Sequence, residues 1–153
     1  MAIEREAYRD LEAVVEARNI SEDPAVLDSY IWQWPGELHE GGQVRFLRHR
    51  PVAVALPAST EEVQAIARVC NRYGLKFRAF STGWGAWGSP KSEGVVQLDL
   101  RRMDRMRELN ERDMYAVVEP YFVWARLQAE TMKRGLNCSI IGAGSNTTGA
   151  GTD

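Results

Sequence analysis

KFRAFSTGWGAWGSPKSEGVV, residues 76–96, contains Gly83-Trp84-Gly85-Ala86-Trp87-Gly88, a full match to G-x-G-x-x-G. In the dinucleotide loop that this pattern usually marks, a strand comes before the glycines. The helix that receives the diphosphate comes straight after them. Lys76–Phe80 reads as the strand, but Gly88 is followed by Ser89-Pro90-Lys91-Ser92-Glu93-Gly94, which is turn chemistry. Val95–Leu100 then reads as another strand, so Asp99 arrives without the intervening helix that a ribose-binding acid would follow. The Rossmann reading is set aside on that ground. Two readings of the loop remain. It is a tight turn with Trp84 and Trp87 as packing residues, or a nest of backbone amides for an anion, with a diphosphate the obvious guest.

A second segment shifts the balance toward the anion. Ile140-Ile141-Gly142-Ala143-Gly144-Ser145-Asn146-Thr147-Thr148-Gly149 is small, polar and rich in hydroxyls, and it too follows a helix and a short apolar run. Two such loops in one small domain could grip one long polyphosphorylated cofactor from two sides.

The elements around the loops read as an α+β domain. Upstream, Val52–Leu56 is a short apolar run of the buried-strand kind, ended by Pro57. Ser59-Thr60-Glu61-Glu62 is a capping box, and the helix it opens runs to Tyr73 with Val63, Ile66, Ala67, Cys70 and Tyr73 on one stripe. Gly74 closes it. Strand, helix, strand, loop, strand is a β-α-β start to a parallel sheet. Downstream, Arg101–Arg107 reads as a turn into a strand, Tyr115–Glu119 as a further strand ended by Pro120, and Phe122–Lys133 as a helix with Phe122, Ala125, Ala129 and Met132 inward, capped by Gly135. Residues 1–50 read as a leader: an amphipathic helix over 3–17 with Ile3, Ala7, Leu11, Val14 and Val15 on one face, then a helix from Asp23-Pro24 to about Ile31. Residues 32–50 read as an irregular surface loop.

The totals limit the partners. With 153 residues there is enough chain for one domain with a core, and a net charge of −2 gives no reason to expect nucleic acid or an anionic membrane. No apolar run approaches the roughly 20 residues of a membrane span. Met1–Glu6 is charged and is not a secretory signal. Cys70 and Cys138 form no framework, so reduced thiols and a cytoplasmic location are expected.

Pro51–Val63 (PVAVALPASTEEV) resembles the opening of the FAD-binding domain of the vanillyl-alcohol oxidase / p-cresol methylhydroxylase superfamily, which includes glycolate oxidase and D-lactate dehydrogenase type FAD-linked oxidases. The resemblance continues in order through the glycine loop, through Val95–Met106 (VVQLDLRRMDRM), through Ala116–Pro120 (AVVEP), and ends in the loop at 142–149. It implies a PCMH-type FAD-binding fold over 51–153, in which two small α+β subdomains clasp an extended FAD. The first β-α-β subdomain is complete here and the second only begun. It implies that Ser81, Thr82, Gly83, Trp84, Gly85 and Gly88 wrap the pyrophosphate with backbone amides, that Gly142, Gly144, Ser145, Asn146 and Thr147 form a second FAD-contacting loop, and that Pro120 lies at the cofactor. Pro57 fits an adenine-side contact.

The departures bear on those assignments. Many relatives carry Gly after the Glu-Pro pair, whereas Tyr121 and Phe122 follow here. Trp84 stands nearest the place where one branch attaches flavin through a His, and neither His39 nor His49 lies in that loop, so non-covalent FAD is expected. The family's FAD domain and its substrate (cap) domain continue past this length, and the catalytic residues usually come from there. None is assigned here. The expectation is the FAD-binding part of an oxidoreductase that takes a hydride from a small hydroxylated substrate, a 2-hydroxy acid or a phenolic or benzylic alcohol. A second polypeptide or a C-terminal region would complete it. The alternative is a non-catalytic binding or assembly module that retains half of an FAD site.

The remaining clusters read as structural. The carboxylates Asp99, Asp104, Glu108, Glu111, Asp113 and Glu119, interleaved with Arg101, Arg102, Arg105, Arg107 and Arg112, read as a solvated, self-paired surface. His39 and His49 lack the further ligands a metal needs. Trp32 and Trp34, flanking Pro35-Gly36, read as packing onto the domain.

Overall fold

A computed structural model describes residues 2–31, 49–83, 90 and 92–138, and the backbone of 39–40 and 43–44. Helix α1 spans Arg5–Val15, a 3-10 turn follows at Ala17–Asn19, and strand β1 is Ile20–Ser21. Next come α2 (Pro24–Asp28), the short strands β2 (His39–Glu40) and β3 (Gln43–Val44), β4 (Ala53–Ala55) and α3 (Thr60–Arg72). Strands β5 (Lys76–Phe80), β6 (Val95–Asp99), β7 (Met106–Asn110) and β8 (Tyr115–Val118) lead to α4 (Trp124–Met132).

The main sheet has the order β1-β4-β6-β5. Strands β4, β6 and β5 are parallel, and β1 adds to the outer side of β4 antiparallel, with Ile20 opposite Ala55. Strand β6 is the central one, and every residue of it is buried. That explains a sequence of continuous rather than alternating apolarity. The edge strand β5 is half exposed along its length. Alternation sorts the side chains to two faces. Ala53, Ala55, Val96 and Leu98 face a core closed by α1 (Ala7, Leu11, Val15) and α3 (Ile66, Val69, Cys70). Val54 faces the other way, against Leu27 and Tyr30 of the leader, with Phe80 packed on them. Burial pushes the Cys70 thiol up to about 11, so it serves as a small apolar packing group.

The local signals are realised in detail. Asp23 caps α2, its carboxylate accepting from the Ala25 N–H at 2.7 Å, with Pro24 in the first turn. After Asp28 the helix tightens, and i→i−3 bonds carry it to Ile31, the expected end. Ser59 accepts from the Glu62 N–H at 3.2 Å, while the Glu62 carboxylate takes the Ala58 N–H at 2.8 Å, one residue before the position a capping box prescribes. Gly74 (φ +63) ends α3 in a Schellman arrangement, with Leu75 N–H bonded to Cys70 O at 2.8 Å and Gly74 N–H to Asn71 O at 3.4 Å.

Three readings need correction. Helix α1 stops at Val15 rather than at 17, because Glu16 takes a positive φ of +69, and the 3-10 turn and strand β1 after it are too short to carry a periodicity. Within 32–50 the backbone forms the antiparallel pair β2–β3, with His39 opposite Val44, while the Trp32–Pro35 segment lies outside the described residues. Helix α4 also turns differently from the expected stripe. Leu127 and Thr131 are its buried residues, Ala125 and Ala129 are exposed, and Met132 is 62% exposed. Only Phe122, just before the helix, is buried as expected. Two alanines mark a face weakly, and Leu127 with Thr131 at i, i+4 is the stripe that packs.

Candidate cofactor site

The parallel strands all deliver their carboxyl ends to one edge of the sheet: Leu56-Pro57 from β4, Ser81 from β5 and Leu100 from β6. Open parallel sheets bind ligands at that edge. The Leu100 N–H bonds the Phe80 carbonyl at 2.9 Å, which keeps β5 and β6 in register to their last residue. No helix occurs in the described part of the connection between them, residues 81–83, 90 and 92–94. A Rossmann diphosphate seat is therefore not what these residues form.

Ser81 is buried, and its hydroxyl donates to the Pro120 carbonyl at 3.2 Å. Two residues assigned to the cofactor from separate sequence motifs thus meet across the sheet edge. Thr82 and Gly83 follow, half-buried. Gly83 has φ +69, and a Cβ there would come within 2.5 Å of Phe80 Cζ. Both facts demand glycine. A left-handed residue beside right-handed ones turns consecutive amides to one side, the donor arrangement that suits a diphosphate. Gly83 supplies the left-handed residue. Trp84, Gly85, Gly88, Gly142, Gly144, Ser145, Asn146 and Thr147 lie outside the described residues.

Pro120 is held by Glu119. The Glu119 carboxylate accepts from the Arg105 backbone N–H (2.8 Å) and from Arg105 Nη2 (2.9 Å), and pairs with Arg107 at 2.5 Å. Burial pushes the Glu119 carboxyl up, but these arginine contacts outweigh it and hold the group below the usual carboxylate range. Tyr121 N–H bonds Met103 O at 2.9 Å. Among the described non-glycine residues only Glu16 and Met114 have positive φ. Tyr121 therefore needs no glycine backbone, and the bulkier residue after Glu-Pro is accommodated without strain.

A second buried acid closes the other side of the edge. Asp99 is fully buried, accepts from Tyr30 Oη at 2.6 Å and pairs with Arg101 at 2.5 Å. Burial and the Asp99 bond raise the Tyr30 phenol above its ordinary value. Arg102 donates to the Leu56 carbonyl at 2.7 Å. The charged stretch is therefore only partly the solvated surface expected. Asp104–Arg126 and Glu111–Arg134 are exposed pairs, whereas Asp99 and Glu119 are buried anchors. The available signals were the position of Asp99 inside an otherwise buried strand and that of Glu119 immediately before a proline.

A parallel sheet edge that carries a glycine turn, bonded through Ser81 to a second, smaller hairpin unit, makes an α+β domain with its ligand edge at the strands' carboxyl ends. The family profile described as FAD binding domain matches residues 51–152, and the chain belongs to that family, with FAD as its cofactor. Over 101 residues the chain is 36% identical to 1'-carboxy-chondrochloren decarboxylase of Chondromyces crocatus, a match covering 63% of this chain and 18% of that one. Over 71 residues it is 38% identical to a probable mitochondrial D-lactate dehydrogenase of Danio rerio, covering 46% and 14%. The structure of p-cresol methylhydroxylase with substrate bound superposes on 94% of this chain and 27% of its own, with a TM-score of 0.77 at 24% identity. The fold is thus the PCMH-type FAD-binding fold, of which this chain covers a part. The chain spans well under a third of the length of each of these relatives. No described helix is long and apolar enough to cross a membrane.

Proposed function

We propose that this chain is the FAD-binding part of an FAD-dependent oxidoreductase that passes a hydride from a small hydroxylated substrate to the flavin. Residues 1–50 act as a leader and 51–153 as the first portion of the FAD domain. A second polypeptide or a C-terminal continuation supplies the rest of the flavin site and the substrate domain. The amides of Ser81, Thr82, Gly83, Trp84, Gly85 and Gly88 hold the diphosphate, Pro120 closes one side, and Gly142, Gly144, Ser145, Asn146 and Thr147 form the second loop. The protein's contribution is to bind and orient the cofactor, which supplies the redox chemistry. Two free cysteines suit a reducing compartment such as the cytoplasm.

The observation that carries this reading is the Ser81–Pro120 hydrogen bond beside a left-handed Gly83. It joins two separate stretches of sequence that the one resemblance assigns to the cofactor. The test is a titration of the purified chain with FAD, followed by flavin absorbance and fluorescence, alone and together with the polypeptide encoded downstream. Weak binding alone and tight, stoichiometric binding in the pair is the expected result. Tight binding by the isolated monomer removes the need for a completing partner, and failure to bind in either setting leaves an assembly module.

A further inference from the structure

Strand β5 ends on Phe80, and that ring is confined from two sides. Tyr30 meets it edge to face, with centroids 5.0 Å apart and planes at 70°. Its tip points at Gly83 so closely that an added Cβ would lie 2.5 Å from Cζ and 3.2 Å from each Cε. The ring cannot advance without striking the turn, and cannot retreat without losing Tyr30. Tyr30 is fixed in its turn. Its hydroxyl donates to Asp99 at 2.6 Å and accepts from Arg101 Nη2 at 3.2 Å. Asp99 is the cross-strand partner of Phe80 itself. The contacts close a circuit: Tyr30 to Phe80, Phe80 to Asp99 through the strand register, and Asp99 back to Tyr30, with Gly83 at the tip of the Phe80 ring. Tyr30 belongs to the leader, before the family-matched residues 51–152.

We infer that Tyr30 is a positioning residue for the FAD loop, acting through Phe80 to hold Gly83 in its left-handed conformation before the cofactor arrives. The leader is then a working part of the cofactor site rather than a flanking support. A turn ordered in advance spares the cofactor the entropy of ordering it. This inference rests on the reading of Ser81–Gly83 as diphosphate ligands.

The test compares Tyr30→Leu, Tyr30→Phe and Phe80→Leu with Val15→Ala, a core variant on the opposite face of the sheet. Two quantities are read on the full chain: hydrogen–deuterium exchange of peptides covering 80–83 without FAD, and the FAD dissociation constant in the presence of the completing polypeptide. Tyr30→Leu and Phe80→Leu should each speed exchange at 80–83 about tenfold and weaken FAD about tenfold. Tyr30→Phe keeps the ring contact but loses the hydroxyl bonds that fix it, and should fall between wild type and Tyr30→Leu in both. Val15→Ala should lower Tm while leaving both unchanged. If exchange or FAD affinity in Tyr30→Leu and Phe80→Leu follows only the loss of Tm, as in Val15→Ala, the positioning role is overturned. A faster turn with unchanged FAD affinity overturns it as well. A wild-type chain that binds no FAD even with its partner overturns the cofactor reading, and this inference with it, which is distinct from loss confined to the variants.

Discussion

The parallel sheet and the β7–β8 hairpin are built from the same kinds of residue, yet they reach different states of completion. In the sheet, β4 and β6 are buried on both faces, covered by α1 and α3 on one side and by α2 and Tyr30 on the other. In the hairpin, Tyr115 and Val117 stand 44% and 45% exposed, and Met132 of the following helix 62%. The first unit closes its own core. The second presents apolar side chains that nothing in the described residues covers, and it is tied to the first by the Ser81–Pro120 bond and by Arg105, which donates to the Ala58 carbonyl. Stability should therefore reside in the sheet unit, with the hairpin unit tolerant of change until something packs against it.

The largest expected break in this contrast is Asp99→Ala. It strands the buried Tyr30 hydroxyl and opens a cavity in a fully buried strand, while the half-exposed Arg101 stays solvated, so a loss of about 3–4 kcal/mol is expected from urea denaturation. A loss below about 1 kcal/mol would mean the sheet unit does not depend on its buried acid. Ile66→Ala should follow at about 3 kcal/mol, because Ile66 is wholly buried between α3 and the sheet. Glu119→Gln probes the buried acid that gathers Arg105 and Arg107 at the base of the hairpin and should cost about 2 kcal/mol at neutral pH. Its pH dependence has a definite sign. The folded carboxyl is held low, so its contribution is present above the unfolded pKa and disappears as pH falls through the folded value. The gap in Tm between wild type and Glu119→Gln should accordingly be full at pH 7 and close below about pH 4. The smallest effect belongs to Val117→Thr in the hairpin, within about 0.5 kcal/mol by the same denaturation measurement. A loss comparable with that of Ile66→Ala would show that the hairpin is already packed.

What was legible in the sequence was what local chemistry decides. The capping box at Ser59, the Asp23-Pro24 start and the glycine stops at Gly74 and Gly135 each act within a few residues, and the structure places them there. The insertion of β6 between β4 and β5 was not legible, since strand order depends on contacts distant in sequence. The face of α4 was misread for a related reason: alanines are compatible with either side, and only the partner surface selects one. The resemblance singles out Ser81 and Pro120, and their meeting is tertiary. Tyr30 carries no local signal in the sequence. Its role depends on a carboxylate in another strand.

The Tyr30–Asp99 bond joins residues 69 positions apart. At translation rates of 5–20 residues per second, the acid leaves the ribosome roughly 3 to 14 seconds after the tyrosine. During that interval α1 and α2 have no finished sheet to dock on, and Ile3, Leu11 and Leu27 remain candidates for chaperone contact. The segment synthesised first must wait for the central strand, so the glycine turn acquires its backing only once β6 has been made.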